Sequence, residues 1–183
     1  AKEGDAVLLT RAVPVEGTAI LAGAKGEELA PILGRDLITR AAGYLDSPGI
    51  SVVGAALAAA GTGLVHAMHD PTEGGLATGI HELAEAAGLG ASIEEKAIPL
   101  STEGNAMCRA LGLDPLGVIT SGALLLAVPP SGEVKVREAL SNAGALGVRI
   151  GRLLPAGEGV TLHGKDGPAP LPRYDSDEIG KIF

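Results

Sequence analysis

The segment His69-Asp70-Pro71-Thr72-Glu73-Gly74-Gly75-Leu76 decides the fold, because it joins a short apolar run to a strongly periodic one. The run that precedes it, residues 64–69, is typical of a strand. After it, apolar residues recur at offsets of four, seven, eight and eleven, which places them on one helix face: Leu76, Ile80, Leu83, Ala84 and Ala87. The segment is therefore predicted to be the strand-to-helix turn of an α/β domain.

The same turn has the features of an anion-binding helix end. Thr72 stands at the expected N-cap position. The backbone N–H groups of Glu73, Gly74 and Gly75 have no partner inside the helix, and a phosphate approaches glycine closely. The carboxylates of Asp70 and Glu73 suit such a site only with magnesium between them and the phosphate. A structural interpretation stays open, because Asp-Pro-Thr also begins ordinary helices and paired glycines also allow close packing.

Outward from the turn, strands and helices alternate without a regular βαβ series. The helix predicted over residues 27–44 is expected to break near Pro31 and Gly34. We read the chain as one domain, residues 1–183, an α/β sandwich with helices covering a mixed sheet. Strands are predicted at 6–10, 64–69, 91–94, 118–120, 123–128, 148–154 and 159–162. Helices are predicted to open at 17–22 and to span 27–44, 52–60, 75–87, 102–111, 131–143 and part of 174–183.

Composition narrows the classes of function. The chain is 46% hydrophobic and 2% aromatic, so its core must consist of aliphatic side chains. A net charge of −8 and few aromatic residues disfavour nucleic acids and anionic membranes as partners. No run approaches the ~20 apolar residues of a membrane span. The single cysteine, Cys108, is expected to be a buried thiol, which fits a cytoplasmic protein.

Two further groups of residues are weighed as site candidates. Ser121 and Gly122 follow an apolar run, where a β-bulge is the plain interpretation and a phosphate-facing hydroxyl the functional one. His66 and His69 would point to opposite faces of a strand, so we expect no dedicated metal site. His69 is the one histidine placed for a ligand contact. The Rossmann fingerprint and the P-loop are both absent.

Residues 69–77 resemble the Asp-Pro-Thr-x-Gly-Gly-Leu-Ala segment of HypE-type hydrogenase maturation factors. Those proteins belong to the superfamily of aminoimidazole ribonucleotide (AIR) synthetase, selenophosphate synthetase and thiamine-monophosphate kinase. Other segments resemble the family in the same order, so that the resemblance covers residues 5 to about 154: Gly17–Ala22, Ala97–Leu100 and Leu111–Leu116.

The resemblance implies a PurM-like C-terminal domain with an α/β/α layered, partly ferredoxin-like fold. It implies an ATP-dependent enzyme that activates a substrate by phosphoryl transfer, with most ATP and Mg²⁺ ligands and the main homodimer contact on an N-terminal domain absent here. This half would then contribute nucleotide-binding residues and be nearly inactive alone. No catalytic residue is assigned, and the expected nucleotide-binding residues are Asp70, Thr72, Glu73, Gly74, Gly75, Ser121 and Gly122.

Two departures from the family pattern argue against the reaction that HypE-type proteins catalyse. HypE-type proteins end in a cysteine that carries the substrate, whereas this sequence ends in Phe183. They also tend to carry a glutamate where Ser121 stands. We therefore expect a HypE-like paralogue and assign it no substrate. The alternative is a non-catalytic maturation partner or dimerisation module that docks through an alanine-rich surface, with Gly74 and Gly75 in a structural role.

Overall fold

The computed structural model describes residues 1–183, and its centre is one seven-stranded mixed sheet. The strands lie in the order β2-β4-β1-β5-β3-β6-β7, and every neighbouring pair is antiparallel except β3 and β6. Their bounds are Ala6–Leu9 (β1), Ala67–His69 (β2), Gly90–Glu94 (β3), Leu125–Val128 (β4), Val148–Leu154 (β5), Val160–Gly164 (β6) and Gly167–Pro170 (β7).

Six α-helices surround the sheet. They are Glu16–Leu33 (α1), Arg35–Ala42 (α2), Val53–Ala60 (α3), Gly75–Glu85 (α4), Thr102–Leu111 (α5) and Glu133–Asn142 (α6). Short 3-10 helices span Gly43–Leu45, Glu95–Ala97, Pro130–Gly132 and Glu178–Ile182. No helix of the chain combines the length and the apolar character needed to cross a membrane.

Strand β1 lies between β4 and β5 and is buried on both faces, which explains its unbroken aliphatic sequence. Successive side chains of a strand point to opposite faces. Val7 and Leu9 pack in the core cluster that contains α4, whereas Ala6 and Leu8 pack in the cluster that contains residues of α3 and α6. Helices therefore cover both faces of a mixed sheet, and the expected α/β/α layering is confirmed.

A third hydrophobic cluster joins α1, α2 and α5 beside the sheet. Leu21 and Leu29 of α1 pack there with Met107 and Cys108 of α5. Cys108 is fully buried, as expected, and burial raises the pKa of its thiol to about 12. This thiol is therefore neutral at physiological pH and serves as a packing residue.

The structure confirms one predicted helix break and corrects two other predictions. The break expected near Pro31 and Gly34 is found at Gly34, whose φ is +89°, while Pro31 is accommodated inside α1. The helix expected from Ser131 begins at Glu133. The strand expected at 118–120 is absent, because its backbone bonds elsewhere: Ile119 O accepts a hydrogen bond from the N–H of Gly17 at the start of α1.

Candidate functional site

The turn before α4 has a different N-cap from the predicted one. Helix α4 begins at Gly75, and the cap position is taken by Gly74 in the left-handed conformation, with φ of +73°. The prediction of Thr72 as N-cap is therefore wrong. Thr72 instead closes the turn through its backbone, since its carbonyl accepts a hydrogen bond from the Gly75 N–H at 3.1 Å.

Both glycines of the turn are required by packing. A Cβ on Gly75 would lie 2.4 Å from the carbonyl oxygen of Leu116 and 2.7 Å from that of Val118. A Cβ on Gly74 would lie 2.9 Å from the carbonyl oxygen of Tyr174. The paired glycines thus have a structural role in this fold, whether or not a ligand also approaches them.

The N–H of Gly74 is already engaged by a carboxylate from the far end of the chain. It donates to Oδ2 of Asp177 at 2.8 Å, and Oδ1 of Asp177 accepts from the N–H of Ile179 at 2.9 Å. Asp177 thus supplies the negative charge that the helix N terminus favours. The sequence does not predict Asp177 as a partner of Gly74. The only related sequence feature is the concentration of acidic residues after Tyr174.

Asp177 belongs to a segment that we name the C-terminal strap, residues 171–182. The N–H of Tyr174 donates to Oγ1 of Thr78 in α4 at 3.1 Å. The buried carboxylate of Glu178 accepts from the N–H of Asp114 at 3.0 Å and pairs with Lys181. Burial acts to raise the pKa of Glu178, but these two partners outweigh it and leave the pKa below its ordinary value. The strap is therefore anchored by charge as well as by packing.

The structure brings the two predicted parts of the site together. The N–H of Thr120 donates to the carbonyl of Thr72 at 3.3 Å, which places residues 120–122 beside the turn. Oγ1 of Thr120 accepts from the N–H of Val15, next to the start of α1, at 3.1 Å. Ser121 and Gly122 thus lie where the N-terminal ends of α1 and α4 converge.

Residues 70–75 and 120–122 form a surface that we call the rim, and it carries several oxygen-bearing side chains. Asp70, Thr72 and Glu73 are exposed and Ser121 is half-buried, and none of their side chains has a hydrogen-bond partner in the protein. Carboxylate and hydroxyl oxygens are suitable ligands for Mg²⁺ and for phosphate. No cluster of three or more metal-ligating side chains is formed. These residues therefore fit one wall of a magnesium–phosphate site rather than a complete one.

His66 and His69 each pair with a carboxylate. Nε2 of His69 lies 2.7 Å from Oε2 of Glu82, and Nδ1 of His66 lies 2.9 Å from both carboxylate oxygens of Asp5. Because the carboxylate of Asp5 is buried, its pairing with His66 ties the start of β2 to the start of β1. His69 thus has a partner within the protein, and its contact with a ligand stays a prediction.

The family described as "AIR synthase related protein, C-terminal domain" matches residues 2–163. The chain belongs to this family. Among curated relatives, the carbamoyl dehydratase HypE of Rhizobium leguminosarum bv. viciae is 34% identical over 140 residues, which cover 76% of this chain and 37% of that protein.

Solved structures extend the similarity to the whole chain. Escherichia coli HypE superposes with a TM-score of 0.76 at 25% identity over 100% of this chain and 54% of its own. A hydrogenase maturation protein HypE solved in complex with ATP has a TM-score of 0.72 at 24% identity, again over 100% of this chain and 54% of its own, and so shares the fold. This AIR synthase related domain thus spans about half the length of these solved relatives.

Proposed function

We propose that this domain is the C-terminal half of an ATP-dependent, HypE-like enzyme that activates its substrate by phosphoryl transfer during metalloenzyme maturation. Membership of the AIR synthase related family and the HypE relatives support an ATP-dependent role. The proposal includes Mg²⁺, a homodimer and a cytoplasmic location. It also includes an N-terminal half that supplies the remaining nucleotide and metal ligands.

The observation that carries the proposal is the convergence of residues 70–75 with residues 120–122. The hydrogen bond from the Thr120 N–H to the Thr72 carbonyl joins two segments that are 48 positions apart in sequence and that the sequence predicts to belong to one site. Both segments leave unpartnered hydroxyls on one rim. Phosphoryl transfer depends mainly on positioning and on electrostatic stabilisation, which such a rim provides.

Each predicted residue has a proposed task. The hydroxyls of Thr72 and Ser121 would donate to phosphate oxygens, and the carboxylates of Asp70 and Glu73 would face magnesium. The glycines at 74, 75 and 122 would shape the site by close backbone packing, because a Cβ on any of them would meet neighbouring protein atoms. The N–H of Gly74 would donate to a phosphate oxygen only after Asp177 is released, because one N–H cannot fully serve both the carboxylate and the phosphate.

Ser121→Ala tests the proposal in the longer protein that includes the N-terminal half. The change removes one hydroxyl and leaves the backbone intact. We expect Mg–ATP to bind about 2- to 10-fold more weakly, in keeping with one lost hydrogen bond. Ser141→Ala is the matched control, since Ser141 is exposed on α6 away from the rim. Equal affinity of both variants for Mg–ATP would remove Ser121 from the nucleotide site.

A second function, docking of another maturation protein, is favoured by the surface of α3. Val53 and Leu57 lie one helical turn apart and are 60% and 69% exposed, on a helix without charged residues. A purely docking domain would keep its partner after loss of the rim hydroxyls and lose it after Leu57→Lys. If the partner still binds the Leu57→Lys variant, the surface of α3 is not the docking site.

A further inference from the structure

Arg11 is a half-buried cation that no carboxylate neutralises. It follows β1 and holds the loop of residues 48–51 through carbonyl oxygens. Nη1 donates to Pro48 at 2.9 Å and to Gly49, and Nη2 is 3.4 Å from the carbonyl of Ser51. None of the ion pairs in the chain includes Arg11, although acidic residues outnumber basic ones by 22 to 14. Burial lowers the pKa of its guanidinium, which nevertheless stays charged.

The guanidinium keeps donor capacity that the loop does not use. Arginine has five N–H groups in a fixed planar fork. Three bonds to carbonyl oxygens leave the Nε–H and one Nη2–H of Arg11 without a protein acceptor. A guanidinium with Nε and Nη2 hydrogens available binds a carboxylate or a phosphate through two parallel hydrogen bonds.

Arg11 also lines a cavity of about 410 Å³, which is large enough for a small ligand. Thr10, Tyr44, Ser101 and Leu146 line the same cavity. The hydroxyls of Thr10 and Ser101 are buried and bonded within the protein, to the N–H of Leu124 and the carbonyl of Pro14. The Tyr44 hydroxyl donates to Glu103 at 2.8 Å, so its oxygen can still accept a hydrogen bond from a ligand.

The cavity adjoins the proposed nucleotide rim through one loop. The Gly49 carbonyl that accepts from Arg11 lies 2.9 Å from the position a Cβ on Gly122 would occupy. Only the backbone of residues 48–51 therefore separates Arg11 from Ser121–Gly122. A ligand held at Arg11 lies at the edge of the rim that we assign to ATP.

We propose that the Arg11 cavity is a binding subsite for a small oxyanion that also carries hydroxyl or amine hydrogens. Arg11 binds the carboxylate or phosphate group, and the hydroxyl oxygen of Tyr44 accepts a hydrogen bond from the ligand. That this ligand is the enzyme's substrate rests on the proposed function. Binding of the anion itself does not.

The test is calorimetric titration of the 183-residue chain, without ATP, with inorganic phosphate in one arm and L-malate in the other. Saturable binding in either arm is expected, and the stronger arm identifies the anionic group. Arg11→Gln should weaken that binding tenfold or more, and Arg11→Lys should recover part of it. Arg109→Gln, an exposed arginine outside every ion pair, is the charge-matched control and should bind like the wild type.

Leu146→Trp separates binding from a structural role of Arg11, since it fills the cavity from a half-exposed position and leaves the bonds to residues 48–51 intact. It should abolish binding while the melting temperature stays close to that of the wild type. The proposal is overturned if neither anion saturates the wild type, if Leu146→Trp binds normally, or if Arg109→Gln loses as much affinity as Arg11→Gln. Failure of the longer protein to bind ATP would refute the proposed function and leave this result standing.

Discussion

Gly75→Ala probes how tightly the α4 turn is packed against its neighbours. Gly75 has φ of +63°, a conformation that costs a residue with a Cβ about 1–2 kcal/mol. The new Cβ would also lie 2.4 Å from the carbonyl oxygen of Leu116, which forces a backbone shift. Overpacking of this kind costs about 1–3 kcal/mol more. We therefore expect the free energy of unfolding to fall by about 2–5 kcal/mol, the sum of those two effects.

Gly88→Ala is the matched control for this experiment. Gly88 has nearly the same φ, +67°, but no atom lies within 4 Å of its added Cβ. It should lose only the conformational contribution, about 1–2 kcal/mol. Urea unfolding of the 183-residue chain measures both variants by linear extrapolation. If the two variants lose equal stability, the close approach of Gly75 to residues 116–118 is not what requires glycine there.

Two further predictions concern charged contacts. Asp177→Asn weakens the bond to the Gly74 N–H and should lower the free energy of unfolding by about 1–2 kcal/mol, whereas Asp175→Asn, a nearby change of equal charge, should have little effect in the same urea titration. The hydrogen bond from Arg40 holds the pKa of the buried Glu103 below its ordinary value near 4.5, despite the opposing effect of burial. The contact between Arg40 and Glu103 therefore stabilises the fold above about pH 4.5, the ordinary pKa of the carboxyl. This stabilisation is lost as the pH falls through the lower pKa that Glu103 has in the folded protein. The stability difference between wild type and Glu103→Gln should accordingly shrink below about pH 4.5, and a difference that grows on acidification would contradict the assigned contact.

Local patterns in the sequence predicted much of the sheet and of α4. The aliphatic run at residues 6–9 and the apolar face from Leu76 to Ala84 are set by neighbours in sequence, and both elements appear where expected. Residues 118–120 were predicted as a strand on similar grounds but form none: the Ile119 carbonyl bonds to the start of α1 and the Thr120 N–H bonds to Thr72. Periodicity shows which residues favour a strand and cannot show which backbone groups find a partner.

The position of the turn was predictable from its local signature, whereas most of its contacts were not. Thr120, next to Ser121, bonds to Thr72 of the turn, and the role of both segments in one site stays a prediction. The carboxylate on Gly74 comes from Asp177, 103 positions away, and no local pattern specifies that contact. The hydrogen bonds from Arg11 to residues 48–51 are likewise long-range contacts between a side chain and backbone carbonyls. Such contacts form only in the folded chain, so local sequence patterns do not reveal them.

Whether the nucleotide site is divided between two halves of the protein is tested by measuring Mg–ATP affinity in parallel for the isolated 183-residue chain and for the longer protein. We expect saturable binding and turnover by the longer protein, and neither by the isolated chain, because residues 70–75 and 120–122 form one wall of a shared site. If the isolated chain hydrolysed ATP at a normal enzymatic rate, or if the longer protein bound no ATP, the proposed division of the site between two halves would be wrong.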